Sequence, residues 1–304
     1  MFDEATQKMM EMRELINHPD PIIRARLIIE LSNEWDKLLI GVGKGKNRKG
    51  NNRVGYGHNT IKFIHKHQVP RDKKVSYPRF CCDIRSQKEE TQRVRMTVEG
   101  DILYYAGNTE TEVESLETTK IYANSTISTP GARQAFAYIG NFYTKSILRE
   151  PEFMKVHISD IPQEIIDEYN VMIYANEDGF VYVEIMGTMY GLKQAGKIAN
   201  DDLIEYLKEF GYYPNRKTLG LWLHKTRKIN FTLVVDNLSV NYIEKVDADH
   251  LFSAIEEKYS LKINWEANTY LGINFGWHYD EGYVILSIKG IPSIPFQYTL
   301  SLKG

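Results

Sequence analysis

Apolar residues recur at helical spacing along three segments of the chain. In the first segment the apolar positions fall three or four residues apart, at Ile22, Ile23, Leu27, Ile28, Leu31, Trp35 and Leu38. Asp20 followed by Pro21 is a helix start signal, so the pattern predicts an amphipathic helix, and we expect residues 1 to 40 to be largely helical. Similar spacing predicts helices over residues 200 to 213 and 246 to 260.

Runs of β-branched and aromatic residues predict strands between and around these helices. The strand-like ranges are 60–69, 77–85, 92–98, 229–236, 268–279 and 282–288. Residues 43 to 57, rich in glycine, lysine and asparagine, predict a loop. In the C-terminal half, the order strand, helix, hairpin, helix, strand favours a small antiparallel sheet backed by helices, which is an α+β fold.

The stretch FTLVVDNLSVNY, residues 231 to 242, predicts a buried hairpin. Asp236 and Asn237 are the turn-prone residues between its two apolar arms. We therefore expect both side chains to lie at the tip of the hairpin.

The composition is that of an ordinary globular protein. The 304 residues are 42% hydrophobic and 26% charged, which allows two subdomains with a real core. No apolar run approaches the roughly 18 residues of a membrane helix, and the N-terminus is too polar for a signal peptide. Cys81 and Cys82 are the only cysteines, and two neighbours make no disulfide framework. We expect an intracellular protein, cytoplasmic or nuclear, with no membrane partner.

The net charge of −2 hides a basic segment. Residues 44 to 95 hold fifteen lysines and arginines against four acidic residues. Because cation–phosphate contacts supply most non-specific affinity for nucleic acids, this segment favours a polyanion-binding surface. The alternative interpretation is a solvated loop region.

Three motifs carry a resemblance to a known family. MYGLKQAGKIANDDLIEYL, residues 189 to 207, closely resembles the Tyr-Gly-Leu-Lys-Gln-Ala segment of copia-type retrotransposon reverse transcriptases. Residues 125 to 147 and 220 to 251 resemble the flanking blocks of the same polymerase, in order and at sensible spacing. The resemblance runs from about Glu11 to Ile288.

The resemblance implies a right-hand polymerase fold with fingers and palm, and a thumb that is missing or rudimentary. It divides the chain into a helical region with basic fingers (1–126), a palm with the polymerase motifs (127–290) and a short C-terminal tail (291–304). The implied activity is RNA-directed DNA polymerisation, a nucleotidyl transfer. The implied partners are an RNA or DNA template–primer and a dNTP, and the implied cofactor is Mg²⁺.

Two-metal nucleotidyl transfer needs several carboxylates in one place, because Mg²⁺ prefers carboxylate oxygens. By resemblance, the three catalytic aspartate positions are occupied by Tyr138, Asp236 and Asn237. A phenol has a reference pKa of about 10 and stays protonated at neutral pH, so Tyr138 is a poor metal ligand. Asp236 is then the one remaining metal-binding carboxylate, and we expect a catalytically impaired pseudoenzyme in which Mg²⁺ binding is weakened.

The resemblance also implies nucleotide-binding residues. Gln194 matches the glutamine that packs beside the incoming nucleotide, and Lys193 belongs to the same motif. Tyr143 matches the aromatic residue that excludes a 2′-hydroxyl. Arg93 and Arg95 alternate on a predicted strand, so they share a face on which two guanidinium groups could grip a triphosphate.

Two other classes of function stay open. One is a non-catalytic nucleic-acid-binding protein that reuses the palm and fingers scaffold. The other is an unrelated α+β binding module.

Overall fold

The structure is a computed structural model that describes residues 2–3, 8–9, 11–41, 57–84, 92–111 and 113–288. The helices within these ranges are α1 (Met12–Leu15), α2 (Pro21–Leu38), α3 (Leu116–Ser128), α4 (Gln163–Glu168), α5 (Ala195–Glu209) and α6 (Lys245–Glu256). The first nine strands are β1 (Phe2–Asp3), β2 (Lys8–Met9), β3 (Ile61–Ile64), β4 (Val75–Ser76), β5 (Pro78–Ile84), β6 (Gln92–Val98), β7 (Arg133–Gly140), β8 (Ile147–His157) and β9 (Phe180–Gly187). The other strands are β10 (Tyr212–Pro214), β11 (Leu221–His224), β12 (Ile229–Val234), β13 (Asn237–Tyr242), β14 (Ser260–Asn264), β15 (Thr269–Tyr270), β16 (Ile273–His278) and β17 (Tyr283–Ile288). The mixture of helices and several sheets places the chain in the α+β class.

The chain forms two compact units, and each is built from two separate stretches of sequence. Unit 1 comprises Met1–Thr109 and Tyr143–Ile198, and unit 2 comprises Glu110–Phe142 and Ala199–Gly304. This division differs from the boundary expected after residue 126, because residues 143–198 cluster with the N-terminal stretch. The expected tail, 291–304, and all but one residue of the predicted loop lie outside the described residues.

The long N-terminal helix begins as its sequence predicts. The Asp20 carboxylate accepts hydrogen bonds from the backbone amides of Ile22 and Ile23, at 2.7 and 3.4 Å, and so caps α2. Ile22, assigned to the apolar face, is instead 62% exposed. The expectation that residues 1 to 40 are helical was also wrong in part, because β1 and β2 form a short antiparallel pair. No helix in the described part of the chain is long and apolar enough to span a bilayer.

Unit 1 holds a four-stranded sheet in the order β3-β9-β8-β4 and a separate β5–β6 hairpin. The pair β4–β8 is parallel, and the other pairs are antiparallel. Helix α2 contacts β6 and α4. Its inner face joins the core cluster of this unit through Leu27, Leu31, Trp35 and Leu38.

Unit 2 is built around a six-stranded sheet in the order β10-β11-β12-β13-β7-β14. Apart from β10 and β11, and from the unit 1 elements between β7 and α5, the chain order from β7 to β14 in unit 2 is β7, α5, β12, β13, α6 and β14. Their spatial order, β12-β13-β7-β14, places the first strand between the third and the fourth. This arrangement is a split βαβ unit. Its last strand, β14, was not predicted, and the strands predicted after the second helix form a separate three-stranded sheet, β15-β16-β17.

The two faces of this sheet differ in chemistry, since side chains alternate along each strand. One face is apolar and buried, with Ala135, Ala137, Ile139, Phe231, Leu233, Leu238 and Val240. The opposite face carries buried polar groups toward α3. Thr126 of α3 donates to Gln134 Oε1 at 2.7 Å and accepts from Asn241 Nδ2 at 2.6 Å. Gln134 in turn donates to Ser239 Oγ at 2.6 Å, so these buried polar side chains are satisfied by one another.

Candidate functional site

The three positions proposed for catalytic carboxylates lie together at one end of the unit 2 sheet. Asn237 on β13 is the direct register partner of Tyr138 on β7, and Val234 of β12 is its partner on the other side. The backbone amide of Ile139 donates to the carbonyl of Asp236 at 2.8 Å. The structure therefore brings together the side chains that the sequence assigned to one site.

The turn of the hairpin is displaced by one residue from the predicted tip. Val235 and Asp236 form the turn, and Asn237 is the first residue of β13. Val235 adopts a φ of 58°, in the left-handed region that a β-branched residue strongly disfavours. The tip is thus held in a strained conformation by the strands on either side.

The hairpin side chains already contact each other. The Asn237 amide donates to the Asp236 carboxylate at 2.9 Å. Tyr138, Asp236 and Asn237 are all partly buried. One of the two oxygens of the remaining carboxylate is therefore used inside the hairpin.

A lysine that the sequence did not single out adjoins this group. Lys262 on β14 is the register partner of Tyr138 and is exposed. Asn237, Tyr138 and Lys262 therefore form a row across three strands on the polar face, because directly paired residues point to the same side. The sequence analysis predicted a helix as far as Ser260 and no strand directly after it, so it missed β14. Lys262 lies outside every motif that the sequence analysis identified.

These residues do not fit a pair of Mg²⁺ ions. The row offers one amide, one phenol and one ammonium group, and Asp236 supplies the only carboxylate among the three proposed metal positions. Mg²⁺ is usually bound through carboxylate oxygens, whereas Lys262 adds a positive charge beside Tyr138. Among the residues that the structure describes, no three His, Cys, Asp or Glu side chains are grouped to hold a metal.

A buried acid lies beneath the hairpin. The Tyr270 hydroxyl contacts Glu114 Oε2 at 3.2 Å and the carbonyl oxygen of Asn237 at 3.4 Å. Burial raises the pKa of Glu114, and the hydrogen bond from the Tyr270 hydroxyl opposes the shift. Burial also raises the pKa of Tyr270. Both groups are therefore held toward their neutral forms next to β13.

The residues proposed for nucleotide binding lie in unit 1. Arg93 and Arg95 lie on the partly exposed face of β6. The alternate residues Val94 and Met96 are buried on its other face. The Arg95 guanidinium lies 4.8 Å from the ring centroid of Tyr190, and the Tyr190 ring meets the Tyr143 ring edge-on at 4.9 Å. Arg95, Tyr190 and Tyr143 therefore form a cation and aromatic cluster. The Nε of Arg95 is buried and has no hydrogen-bond partner among the described residues.

The glycine of the Tyr-Gly-Leu-Lys-Gln motif fixes the position of Tyr190. Gly191 has a φ of 96°, and a Cβ there would lie 1.9 Å from the carbonyl oxygen of Val98. Val98 also donates its backbone amide to the Tyr190 carbonyl at 2.9 Å. Only glycine permits this approach, so the motif holds Tyr190 against the end of β6.

Gln194 and Lys193 have different surroundings. Gln194 is only 5% exposed, and its amide lies 3.5 Å from the carboxylate of Glu152. Burial raises the pKa of Glu152. The Lys193 side chain is exposed and reaches the carbonyls of Asp101 and Leu103, at 3.5 and 3.4 Å. The sequence missed both Tyr190 and Glu152. Tyr190 could have been found, because it stands inside the quoted motif.

The structure thus shows two candidate groups: the row of Asn237, Tyr138 and Lys262 in unit 2, and the cluster of Arg95, Tyr190 and Tyr143 in unit 1. No model of a known protein family matches this chain, and no curated protein matches it.

Proposed function

We propose that this chain is a retrotransposon-derived reverse transcriptase domain with a fingers and palm organisation and impaired nucleotidyl transfer. The observation that carries the proposal is the register at the hairpin tip. Asp236 lies in the turn between β12 and β13, Asn237 begins β13, and Tyr138 lies opposite Asn237 on the neighbouring strand β7. A palm needs its catalytic positions to converge in this way, although they are far apart in the sequence.

The topology of unit 2 supports the same proposal. A split βαβ sheet places its first and third strands side by side, so residues from a single strand and from a hairpin share one end of the sheet. In this chain those two strands are β7 and β13. A family that collects carboxylates from one strand and one hairpin requires that adjacency.

The expected loss of nucleotidyl transfer follows from the side chains at the three proposed metal-binding positions. Tyr138 and Asn237 contribute no negative charge, and Lys262 adds a positive charge beside Tyr138. Nucleotidyl transfer with two metals needs the charge of several carboxylates to hold both ions. We therefore expect the protein to bind a template–primer and not to extend it.

A second function, nucleic-acid binding without catalysis, is favoured by the cationic groups that remain. In unit 1, the buried Nε of Arg95 beside Tyr190 has no hydrogen-bond partner in the part of the chain that the structure describes. Aromatic rings with arginine are typical of surfaces on which bases stack. In unit 2, Lys262 replaces part of the positive charge that metals would supply. Such a protein would hold phosphates without any divalent cation.

Primer extension and duplex binding, measured on the same preparation, test the proposal. Purified protein is given a labelled primer–template and dNTPs with Mg²⁺ or Mn²⁺, and binding is measured separately by fluorescence anisotropy in EDTA. We expect no extension, together with binding that weakens with salt at a log–log slope of about −0.9 for each phosphate neutralised. Extension of the primer would contradict impairment.

The binding experiment also tests separately whether the arginines of unit 1 and the lysine of unit 2 contribute to binding. Charge reversal at Arg93 and Arg95 should weaken binding more than reversal at Lys46 and Lys49, which belong to the glycine-rich segment of the sequence. Reversal of Lys262 should weaken binding more than reversal of Lys258, which already faces the rings of Tyr206 and Tyr259. Binding that is absent, or independent of salt, would contradict both functions.

A further inference from the structure

The turn that follows β6 leads into a tyrosine with a widely exposed ring. Residues Gly100 to Leu103 form this turn, which closes through a hydrogen bond from the Leu103 amide to the Gly100 carbonyl at 3.1 Å. The Leu103 side chain is buried in the core cluster of unit 1. Tyr104 comes next in the chain and is 80% exposed, so its ring faces solvent directly beside an anchored residue.

Two contacts tie the turn to the Tyr-Gly-Leu-Lys-Gln motif. Gly100 packs so closely on the motif that a Cβ at this position would lie 2.0 Å from the carbonyl oxygen of Gly191. The Lys193 ammonium donates to the carbonyl oxygen of Leu103 at 3.4 Å. Both ends of the turn, and with them the backbone that leads into Tyr104, are therefore fixed against the motif.

The next ring along the chain has different surroundings. Tyr105 is 37% exposed, and the backbone of Gly107 lies against it, since a Cβ on Gly107 would come within 2.6 Å of the ring. Tyr104 is thus the more open ring of the pair, and the Lys193 ammonium is bound one residue away from it. An exposed aromatic ring beside a cation suits an unpaired nucleotide, because any base can stack on the ring and the phosphate attracts the cation.

We propose that Tyr104 and Lys193 bind an unpaired nucleotide of a single-stranded nucleic acid, with the base on the Tyr104 ring and the phosphate beside the Lys193 ammonium. The inference rests on the proposed nucleic-acid binding and names the form of strand that this part of unit 1 contacts. A base inside a duplex stacks on its neighbours on both faces, so an unpaired base is the form that offers a free face to the ring. A tyrosine loses little conformational entropy on binding, because its side chain turns about two bonds only.

The affinities for single strands and for duplexes test the stacking contact. Binding of the full chain to a labelled oligo-dT and to a duplex of equal length is measured by fluorescence anisotropy in EDTA. Tyr104→Ala should weaken binding to oligo-dT about tenfold, the size of one lost stack between a base and an aromatic ring, and should leave binding to the duplex unchanged. Tyr104→Phe and Tyr104→Trp keep a ring, so both should retain the affinity of the parent protein.

Two further variants separate stacking from charge and from general surface effects. Lys193→Gln should reduce the magnitude of the log–log slope of oligo-dT affinity against salt by about 0.7, the value for one phosphate of a single strand. Tyr104→Ala should leave that slope unchanged, because a phenol releases no counterion. Tyr213→Ala is the matched control, since Tyr213 is a 40% exposed tyrosine of unit 2, and it should alter neither affinity.

Three results would overturn the inference. The first is binding to oligo-dT that Tyr104→Ala leaves unchanged. The second is an equal loss for oligo-dT and duplex, and the third is a Tyr104→Phe variant that binds as weakly as Tyr104→Ala. In each of these cases the parent protein still binds nucleic acid, so the proposed binding function is unaffected. A parent protein that binds neither ligand would contradict both.

Discussion

At the scale of single residues, the row of Asn237, Tyr138 and Lys262 carries an amide, a phenol and an ammonium group on three neighbouring strands. Asn237 follows Asp236 in the hairpin and pairs with Tyr138, so the three positions proposed for metal binding carry a single carboxylate. Lys262 completes the row with a charge opposite in sign to that of a metal ligand. The chemistry at this end of the sheet is therefore determined by side chains and not by the fold.

Restoring the carboxylates should restore metal binding. Tyr138→Asp combined with Asn237→Asp places three carboxylates together, and their mutual repulsion is relieved when a cation binds. Mg²⁺ should then raise the melting temperature of the double variant, by a stabilisation of about 1.4 kcal/mol at ten times the dissociation constant. The parent protein and each single variant should respond little, which differential scanning fluorimetry can measure.

The control for this experiment removes the native carboxylate. Adding Asp236→Asn to the double variant should abolish the response to Mg²⁺. If the double variant shows no stabilisation by Mg²⁺, the three positions do not form a metal site and the palm assignment is wrong.

The buried acid beneath the hairpin predicts a specific dependence of stability on pH. Burial raises the pKa of Glu114 above its ordinary value of 4.5, so the folded state holds the proton more tightly than the unfolded state. The protonated Glu114 side chain therefore stabilises the folded state. This stabilisation is fully present below about pH 4.5 and is lost as the pH rises through the pKa of Glu114 in the folded state. Glu114→Gln should therefore flatten the decline of unfolding free energy above pH 4.5, measured by urea denaturation at several pH values.

Glu117 is a control, because its pKa is shifted in the opposite direction from that of Glu114. Hydrogen bonds from its own backbone amide and from Ser115 lower the pKa of this exposed carboxyl group. Its contribution is therefore present at neutral pH and lost on acidification, so Glu117→Gln should make the protein less stable at neutral pH. Identical pH profiles for the two variants would contradict the assignment of Glu114 as a buried acid.

At the scale of secondary-structure elements, the β12–β13 hairpin closes through a residue poorly suited to its turn. Val235 has a φ of 58° and is 38% exposed. A non-glycine residue in the left-handed region costs roughly 1–2 kcal/mol, and little apolar burial compensates for it at this position. The pairing of six residues in each arm keeps the turn in place against this strain.

Replacing Val235 by glycine should therefore stabilise the protein. We expect Val235→Gly to raise the unfolding free energy by up to about 1 kcal/mol, because relief of strain exceeds the added entropy of the unfolded chain. Val234→Gly is the matched control. It lies in β12 and should destabilise by a similar amount, since glycine weakens a strand. Equal destabilisation by both changes in chemical denaturation would show that the turn is not strained.

At the scale of the whole molecule, the two units are interleaved along the sequence. β3 pairs with β9 and β4 pairs with β8, and both partner strands follow the segment that contributes β7 to unit 2. Unit 1 is therefore incomplete until residues far along the chain have been added. Such non-local pairing requires loop closure before its contacts are gained.

Truncation tests this interleaving. A fragment of residues 1–126 lacks β8 and β9, so we expect rapid hydrogen exchange in β3 and no cooperative thermal transition. A fragment of residues 1–198 retains both strands and should protect β3. Protection of β3 in the shorter fragment would show that unit 1 does not depend on the later strands.

The sequence by itself determined the elements whose signals are local. Asp20 before Pro21 predicted the start of α2, because a helix cap involves only neighbouring residues. Alternation along β6 placed Arg93 and Arg95 on one face, and the apolar arms around Asp236 predicted the hairpin. These properties depend on backbone geometry over a few residues, which the sequence specifies directly.

Only the tertiary structure decided which distant side chains meet. Lys262 became the neighbour of Tyr138 through the pairing of β14 with β7, and Glu114 reached the hairpin through Tyr270. Gln194, assigned to a nucleotide by its motif, is buried beside Glu152. No local pattern encodes such contacts, because strand order and helix packing bring together residues that are far apart in the chain. The pairing of β13 with β7 thus placed Asn237 opposite Tyr138, and the separate pairing of β14 with β7 added a lysine to the same row.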